Sequence, residues 1–273
     1  MLTLIFFGLS ILNAKSDKIK SYNMNKFATD SFDFDCLHTT ESSIFIPSKI
    51  TVCYRFKPIS IHHSIYGTVF MGNFDANRTE VEIGFDYSVW ASSGPWVGLR
   101  EKGQSVVWVG MGDGDFELLT WRHTCISINF EDGHSILFEN GKKYMEGTFK
   151  EYVVFKEKMP EKVNFISLGC GPTFYKGSFV GVLSDLQIFG RILSTLEMKQ
   201  WTGCRERLYG DVINWETENW SFNTTGNQSE VEYLDFNREI CNTKSKSSHV
   251  FPLMVTFFKA LEICKKVTGK LFQ

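Results

Sequence analysis

Trp121-Arg-His-Thr-Cys125-Ile-Ser-Ile-Asn-Phe130 is the stretch that decides the fold. Ile126, Ile128 and Phe130 fall on one side of an extended chain, and His123, Cys125 and Ser127 on the other. A period of two marks a β-strand. Asp132-Gly133 and Asn140-Gly141 follow, both hairpin-turn dipeptides, so His134–Glu139 reads as a strand between two turns. Upstream, Lys49–Phe56 repeats the alternation: Ile50, Val52, Tyr54 and Phe56 face one way, Thr51, Cys53 and Arg55 the other.

Similar short runs predict strands near Gly67–Met71, Val81–Asp86, Trp96–Arg100, Ser105–Val109, Val163–Leu168 and Phe179–Phe189. Many short strands and few helical periods predict an all-β sandwich or barrel. Composition agrees. Of 273 residues, 43% are apolar and 15% aromatic, with 25 Phe against 6 Pro. Aromatic side chains suit a pleated, half-buried surface. A formal charge of −2 argues against a nucleic-acid partner, which would require a basic face.

The N-terminal run Leu2–Leu12, followed by Ala14, is too short to span a bilayer and reads as a secretory signal peptide; a buried strand is the alternative. Seven cysteines remain beyond it: Cys36, Cys53, Cys125, Cys170, Cys204, Cys241 and Cys264. Export favours disulfides, and an odd number leaves at least one without a partner in this chain. Four glycosylation sequons, at Asn77, Asn219, Asn223 and Asn227, fit an exported chain. The reading is therefore a secreted, extracellular glycoprotein that does not insert into a membrane.

Two helices are signalled. Ser194-Thr-Leu-Glu197 is a capping box, and its helix should stop before Gly203. Phe257, Ala260, Leu261 and Cys264 carry helical spacing over 257–267. Residues 15–31 and 223–238 read as linkers from their polar composition.

Three stretches in order resemble the pentraxin and laminin G-like group. They are Ile50-Thr-Val-Cys-Tyr-Arg-Phe56, His123-Thr-Cys-Ile-Ser127, and Phe179–Ser194 followed by Gly210–Trp215. The second matches the first half of the pentraxin signature; Ile128 and Phe130 replace its later Trp and Ser/Thr. The resemblance covers 32–222 and implies a two-sheet antiparallel jelly-roll sandwich of the concanavalin A-like type. It also implies a Cys53–Cys125 disulfide, closing a loop of about 70 residues worth ~4 kcal/mol in the chain-entropy model. Pairing of Cys36, Cys170, Cys204 and Cys241 stays open; Cys36 with Cys204 would join the two ends of the sandwich. Residues 239–273 are similar to the opening of a C-type lectin-like domain, a partial α/β segment whose helix carries Cys264, the candidate odd cysteine. An ordinary amphipathic helix packed on the sandwich is the alternative.

The family's calcium ligands are poorly matched. Asp75 or Asn77 stands nearest the early pair, and Asn77 is itself in a sequon. After Ser167-Leu-Gly169, where the family carries an acidic run, this chain has Cys170-Gly-Pro-Thr-Phe174. Calcium takes six to eight oxygens, several from carboxylates, so calcium is disfavoured and no cofactor is expected. Glu80 and Glu82 share a strand face, as paired glycosidase acids do, but the spacing is not that of sandwich glycosidases. Asp113-Gly-Asp115 is explained by a hairpin loop, His62-His63 lacks further metal ligands nearby, and His123 reads as a sheet histidine. Trp90 and Trp96 flank a Ser-Ser-Gly-Pro turn, which makes Trp96 a candidate stacking platform for a ligand.

The sequence thus predicts a non-catalytic binding or adhesion module, recognising a glycan or an extracellular protein and belonging to a larger extracellular or membrane-anchored protein. A calcium-dependent lectin or pattern-recognition pentraxin is one alternative, and a sandwich-type glycoside hydrolase the other.

Overall fold

The computed structural model describes residues 17–24, 36–39, 43–59, 69–75, 78–88, 94–101, 104–110, 119–169, 179–223 and 230–242. In chain order the elements are β1 (Lys18–Met24), β2 (Cys36–Thr39), β3 (Ile44–Phe45), β4 (Lys49–Pro58), β5 (Val69–Asp75), β6 (Arg78–Ser88), β7 (Gly94–Glu101) and β8 (Gln104–Gly110). Then come β9 (Arg122–Asn129), β10 (His134–Glu139), β11 (Lys142–Thr148), helix α1 (Tyr152–Lys158), β12 (Lys162–Val163), β13 (Phe165–Leu168) and β14 (Gly181–Phe189). Helix α2 (Thr195–Thr202), β15 (Ile213–Asn214), β16 (Trp220–Asn223), β17 (Glu230–Asp235) and a π-helical turn (Phe236–Ile240) complete the described chain.

The strands form an antiparallel jelly-roll sandwich. One sheet has the order β11-β10-β9-β4-β14-β1-β17, with β15 paired to β14; the other runs β16-β2-β13-β5-β6-β7-β8. The alternation of β4 and β9 is used as its period requires. Ile50, Val52, Tyr54, Phe56, Ile126 and Ile128 share one buried core with Leu37, Val69, Met71, Val97, Leu99 and Ile166 of the second sheet. The opposite face of β4 and β9 is also buried. Cys53 and Cys125 pack there with Ile136, Phe138, Phe189 and Leu193, under Met198 and Trp201 of α2. Burying a large apolar side chain of this kind stabilises by about 1.5–3 kcal/mol.

The turn signals operate locally. Asn140 and Gly141 both adopt positive φ, as a type I′ hairpin turn requires. Ser194 accepts from the Glu197 backbone while the Glu197 side chain accepts from the Ser194 backbone, completing the capping box. Helix α2 ends at Thr202, where the sequence predicts.

Several expectations are corrected. Residues 18–24, read as linker, form β1 in the interior of the larger sheet, between β14 and β17. Lys18, Lys20, Ser21 and Asn23 make this strand look solvated. Yet Ser21 and Asn23 are buried, and Ser21 Oγ lies 3.0 Å from Ser184 Oγ across the strand pair. Residues 230–235, also read as linker, are β17, paired with β1 along six positions. Of the segment read as C-type lectin-like, Ile240 and Cys241 pack on the sandwich, and residues 243–273 lie outside the described residues. Helix α1 was not predicted, because Val153 and Val154 give it β-type composition; its Phe155 stacks on Phe130 with ring centroids 5.3 Å apart. The proposed signal peptide, the 257–267 helix and Cys264 lie outside the described residues.

Candidate functional site

A surface groove of about 350 Å3 is lined by Phe45, Ile46, Ser48, Phe130, Glu131, Lys156, Met159 and Glu161. Three remote stretches assemble it. β3 pairs with β12, placing Phe45 opposite Lys162, and Ile46 N–H donates to the Glu161 carbonyl at 2.9 Å. Phe130 N–H donates to the Ser48 carbonyl at 2.8 Å, which brings in the turn after β9. The Phe130–Phe155 stack seats α1 and its Lys156 beside that turn.

The groove has an apolar floor and a polar rim. Ile46 and Phe130 are buried, whereas Phe45 is 59% exposed at the edge. Ser48 Oγ donates to Glu131 Oε1 at 2.8 Å, and Lys49 Nζ lies 3.5 Å from the other carboxylate oxygen. The Ser48 hydrogen bond, then the Lys49 charge, hold the Glu131 carboxyl below its ordinary range. The rim thus offers ionised carboxylate and ammonium groups beside an exposed ring.

A second constellation lies across the sheet, against α2. Arg55 is fully buried. Its Nε donates to Asp185 Oδ2 at 2.9 Å, its Nη2 to the Trp201 carbonyl at 3.1 Å, and its Nη1 to His123 Nδ1. The guanidinium stacks 3.9 Å from the Trp201 ring and 4.9 Å from Phe236, whose ring Arg207 also approaches at 4.9 Å. Asp185 sits on a bulge in β14 with φ 52°, and its other oxygen accepts from Gln187 Nε2 at 2.9 Å.

The end of α2 supplies the remaining partner. Cys204 N–H donates to the Trp201 carbonyl at 3.1 Å, and Arg205 N–H to the Gln200 carbonyl at 2.8 Å, a Schellman ending. The left-handed residue is Cys204, φ 58°, although Gly203 precedes it. Gly203 is needed for close approach: a Cβ there would meet the Lys199 carbonyl oxygen at 2.7 Å. Cys204 is bonded to Cys241, which follows the π-helical turn. That pairing replaces the Cys36–Cys204 alternative.

His123, Cys204 and Cys241 present atoms within 4.8 Å of one another. They do not make a metal site: the sulfurs are bonded to each other, and the imidazole is committed. Burial, reinforced by the Arg55 charge, pushes His123 well below its ordinary pKa, so it is neutral. Its Nδ1 accepts from Arg55, leaving Nε2–H for the Ile240 backbone.

The remaining predicted residues scatter. Cys53 and Cys125 face each other in register across β4 and β9 and are bonded. Asn219 is exposed just before β16, and its sequon Ser221 lies 3.0 Å from His38 Nε2. Asn223 closes β16; Asn77 and Asn227 lie outside the described residues. Asp75 closes β5 opposite Arg78, and Trp96 lies in β7 between Asp86 and Gly110. Glu80 and Glu82 belong to β6, Glu82 opposite Gly72 and Arg100. For these strand residues the description extends to the backbone. His62, His63, Trp90, Asp113, Asp115 and 170–174 lie outside it. Sequence reasoning missed the groove, whose parts at 45–48, 130–131 and 156–161 are remote in sequence and carry no local motif. It also missed the Arg55–Asp185 pair, for which a signal existed: each charge interrupts the apolar run of its strand.

No protein-family model matches the chain, and no curated protein matches it in sequence. Solved structures do match in fold. The native heptameric SAP-like pentraxin of Limulus polyphemus is 19% identical, covers 82% of this chain and 97% of its own, and has a TM-score of 0.59. The full extracellular region of zebrafish Gpr126/Adgrg6 is 12% identical, covers 78% of this chain and 26% of its own, with a TM-score of 0.54. At these identities the likeness is one of architecture. The chain carries a pentraxin-like, concanavalin A-like jelly-roll sandwich.

Proposed function

We propose that this domain is a secreted, non-catalytic binding module, and that the groove at Phe45 takes a neutral saccharide. The observation that carries the reading is the groove's composition: an exposed phenylalanine over an apolar floor, rimmed by Ser48, Glu131, Lys156 and Glu161. Sugars present a C–H face that stacks on an aromatic ring and hydroxyls that donate to carboxylates. With Lys49 beside Glu131, the two rim carboxylates stand against two lysines, and a rim with no surplus positive charge favours a neutral sugar over an acidic one. The Cys53–Cys125 and Cys204–Cys241 disulfides support an exported chain.

The test is an array of neutral and acidic oligosaccharides probed with the wild-type chain and Phe45→Ala. Retention of neutral saccharides by the wild type and their loss in the variant is expected. Binding that survives Phe45→Ala would move the site elsewhere, and an array silent for sugars but a pulled-down extracellular protein would favour a protein partner.

A further inference from the structure

The two disulfides among the described residues occupy opposite environments. Cys53 and Cys125 are fully buried between two strands and α2. Cys204 and Cys241 are half-buried at the surface end of α2. Among the described residues a cation touches the second bridge: Arg55 Nη1 donates to Cys204 Sγ at 3.2 Å. His123 lies beside the same sulfur, with its ring nitrogens at 3.7 and 3.9 Å. The charges around the bridge are Arg55 from β4, Asp185 from β14 and Arg207 after α2, the last paired with Asp17 and Glu216, with Arg238 and Glu239 exposed on the π-helical turn. Arg55 is paired with Asp185 and Arg207 with Asp17 and Glu216, which leaves Arg55 as the cation in direct reach of the Cys204 sulfur. A thiolate formed at Cys204 therefore meets the Arg55 Nη1–H group that already donates to its sulfur.

We propose that Cys204–Cys241 is a thiol–disulfide exchange site that takes a dithiol reductant. The reductant's thiolate attacks Cys241 Sγ. The Cys204–Cys241 bond breaks, its electron pair leaves on Cys204, and Arg55 stabilises the resulting thiolate. The reductant's second thiolate then attacks its own sulfur in the mixed disulfide and releases Cys241. The dithiol is oxidised to a disulfide, the bridge is reduced by two electrons, and the dithiol's protons go to Cys241 and to solvent. A leaving thiol of low pKa leaves faster, which directs attack to Cys241. Opening the bridge unpins the turn Phe236–Ile240, whose Ile240 backbone bonds His123 and whose Phe236 lies between Arg55 and Arg207.

The test uses the full-length native chain. Dithiothreitol is titrated in, thiols are blocked with N-ethylmaleimide, and each cysteine is read by peptide mass spectrometry. Cys204 and Cys241 should become labelled at reductant concentrations at least tenfold below those that open Cys53–Cys125. Glutathione, a monothiol, should be trapped on Cys241. Equal resistance of the two bridges, or glutathione trapped on Cys204, would overturn the proposal. In Cys241→Ser, labelling of Cys204 should show a midpoint below the free-thiol value of about 8.5. A midpoint at or above that value would also overturn it, even with the bridge accessible.

Discussion

Arg55 Nε and Asp185 Oδ2 lie 2.9 Å apart in an ion pair whose side chains are 0% and 1% exposed. The pair joins β4 to the bulge of β14, and that bulge is what turns the Asp185 carboxylate toward the guanidinium. Gln187, the Trp201 carbonyl and His123 complete its hydrogen bonds. A buried pair is valuable mainly because losing one partner strands the other.

Asp185→Ala is therefore expected to destabilise the domain by about 3–5 kcal/mol, measured by urea unfolding. Replacing both partners with apolar residues of similar volume should recover much of that loss. A single-mutant cost under about 1 kcal/mol would mean that the pair is hydrated.

Cys53→Ser with Cys125→Ser should cost about 2–5 kcal/mol in the same assay. The pair closes a separation of 72 residues and fills the space under Trp201. An unchanged denaturation midpoint would contradict the structural role of this bridge.

The capping box gives a pH-dependent contribution. Glu197 is held down at about 2 by Arg191 and the Ser194 backbone and hydroxyl, against an ordinary 4.5. A depressed folded-state value means stability present above 4.5 and lost as pH falls from 4.5 toward 2. Glu197→Gln should flatten the stability profile in that window. Ser194→Ala should cost about 1 kcal/mol at neutral pH.

His123 adds acid sensitivity at higher pH. In the unfolded chain it takes a proton below about 6.5, whereas the buried, Arg55-facing imidazole resists it. The unfolded state then binds more protons, so stability falls as pH drops below 6.5. His123→Gln should remove that slope; an identical slope in the variant would assign it to another group.

Much of the sandwich was legible in the sequence. Strands β4 and β9 declare themselves because one face is uniformly apolar, and Asn140-Gly141 and Ser194–Glu197 carry local turn and cap chemistry. β1 and β17 were hidden because pairing, rather than composition, makes them strands: Ser21 and Asn23 are buried polar residues, and Val231 and Tyr233 are exposed apolar ones. Cys204–Cys241 was hidden because no spacing rule fixes a bridge across 37 residues. The groove is the extreme case. Phe45, Glu131 and Lys156 are ordinary surface residues until β3, the β9 turn and α1 bring them together.

The most direct test of the binding account is chemical-shift mapping of the isotope-labelled chain titrated with neutral oligosaccharides, N-acetyllactosamine and chitobiose among them. Saturable shifts centred on Phe45, Ser48, Glu131, Lys156 and Glu161 are the predicted result. Saturable shifts confined to another face of the sandwich, or none with any saccharide, would contradict it.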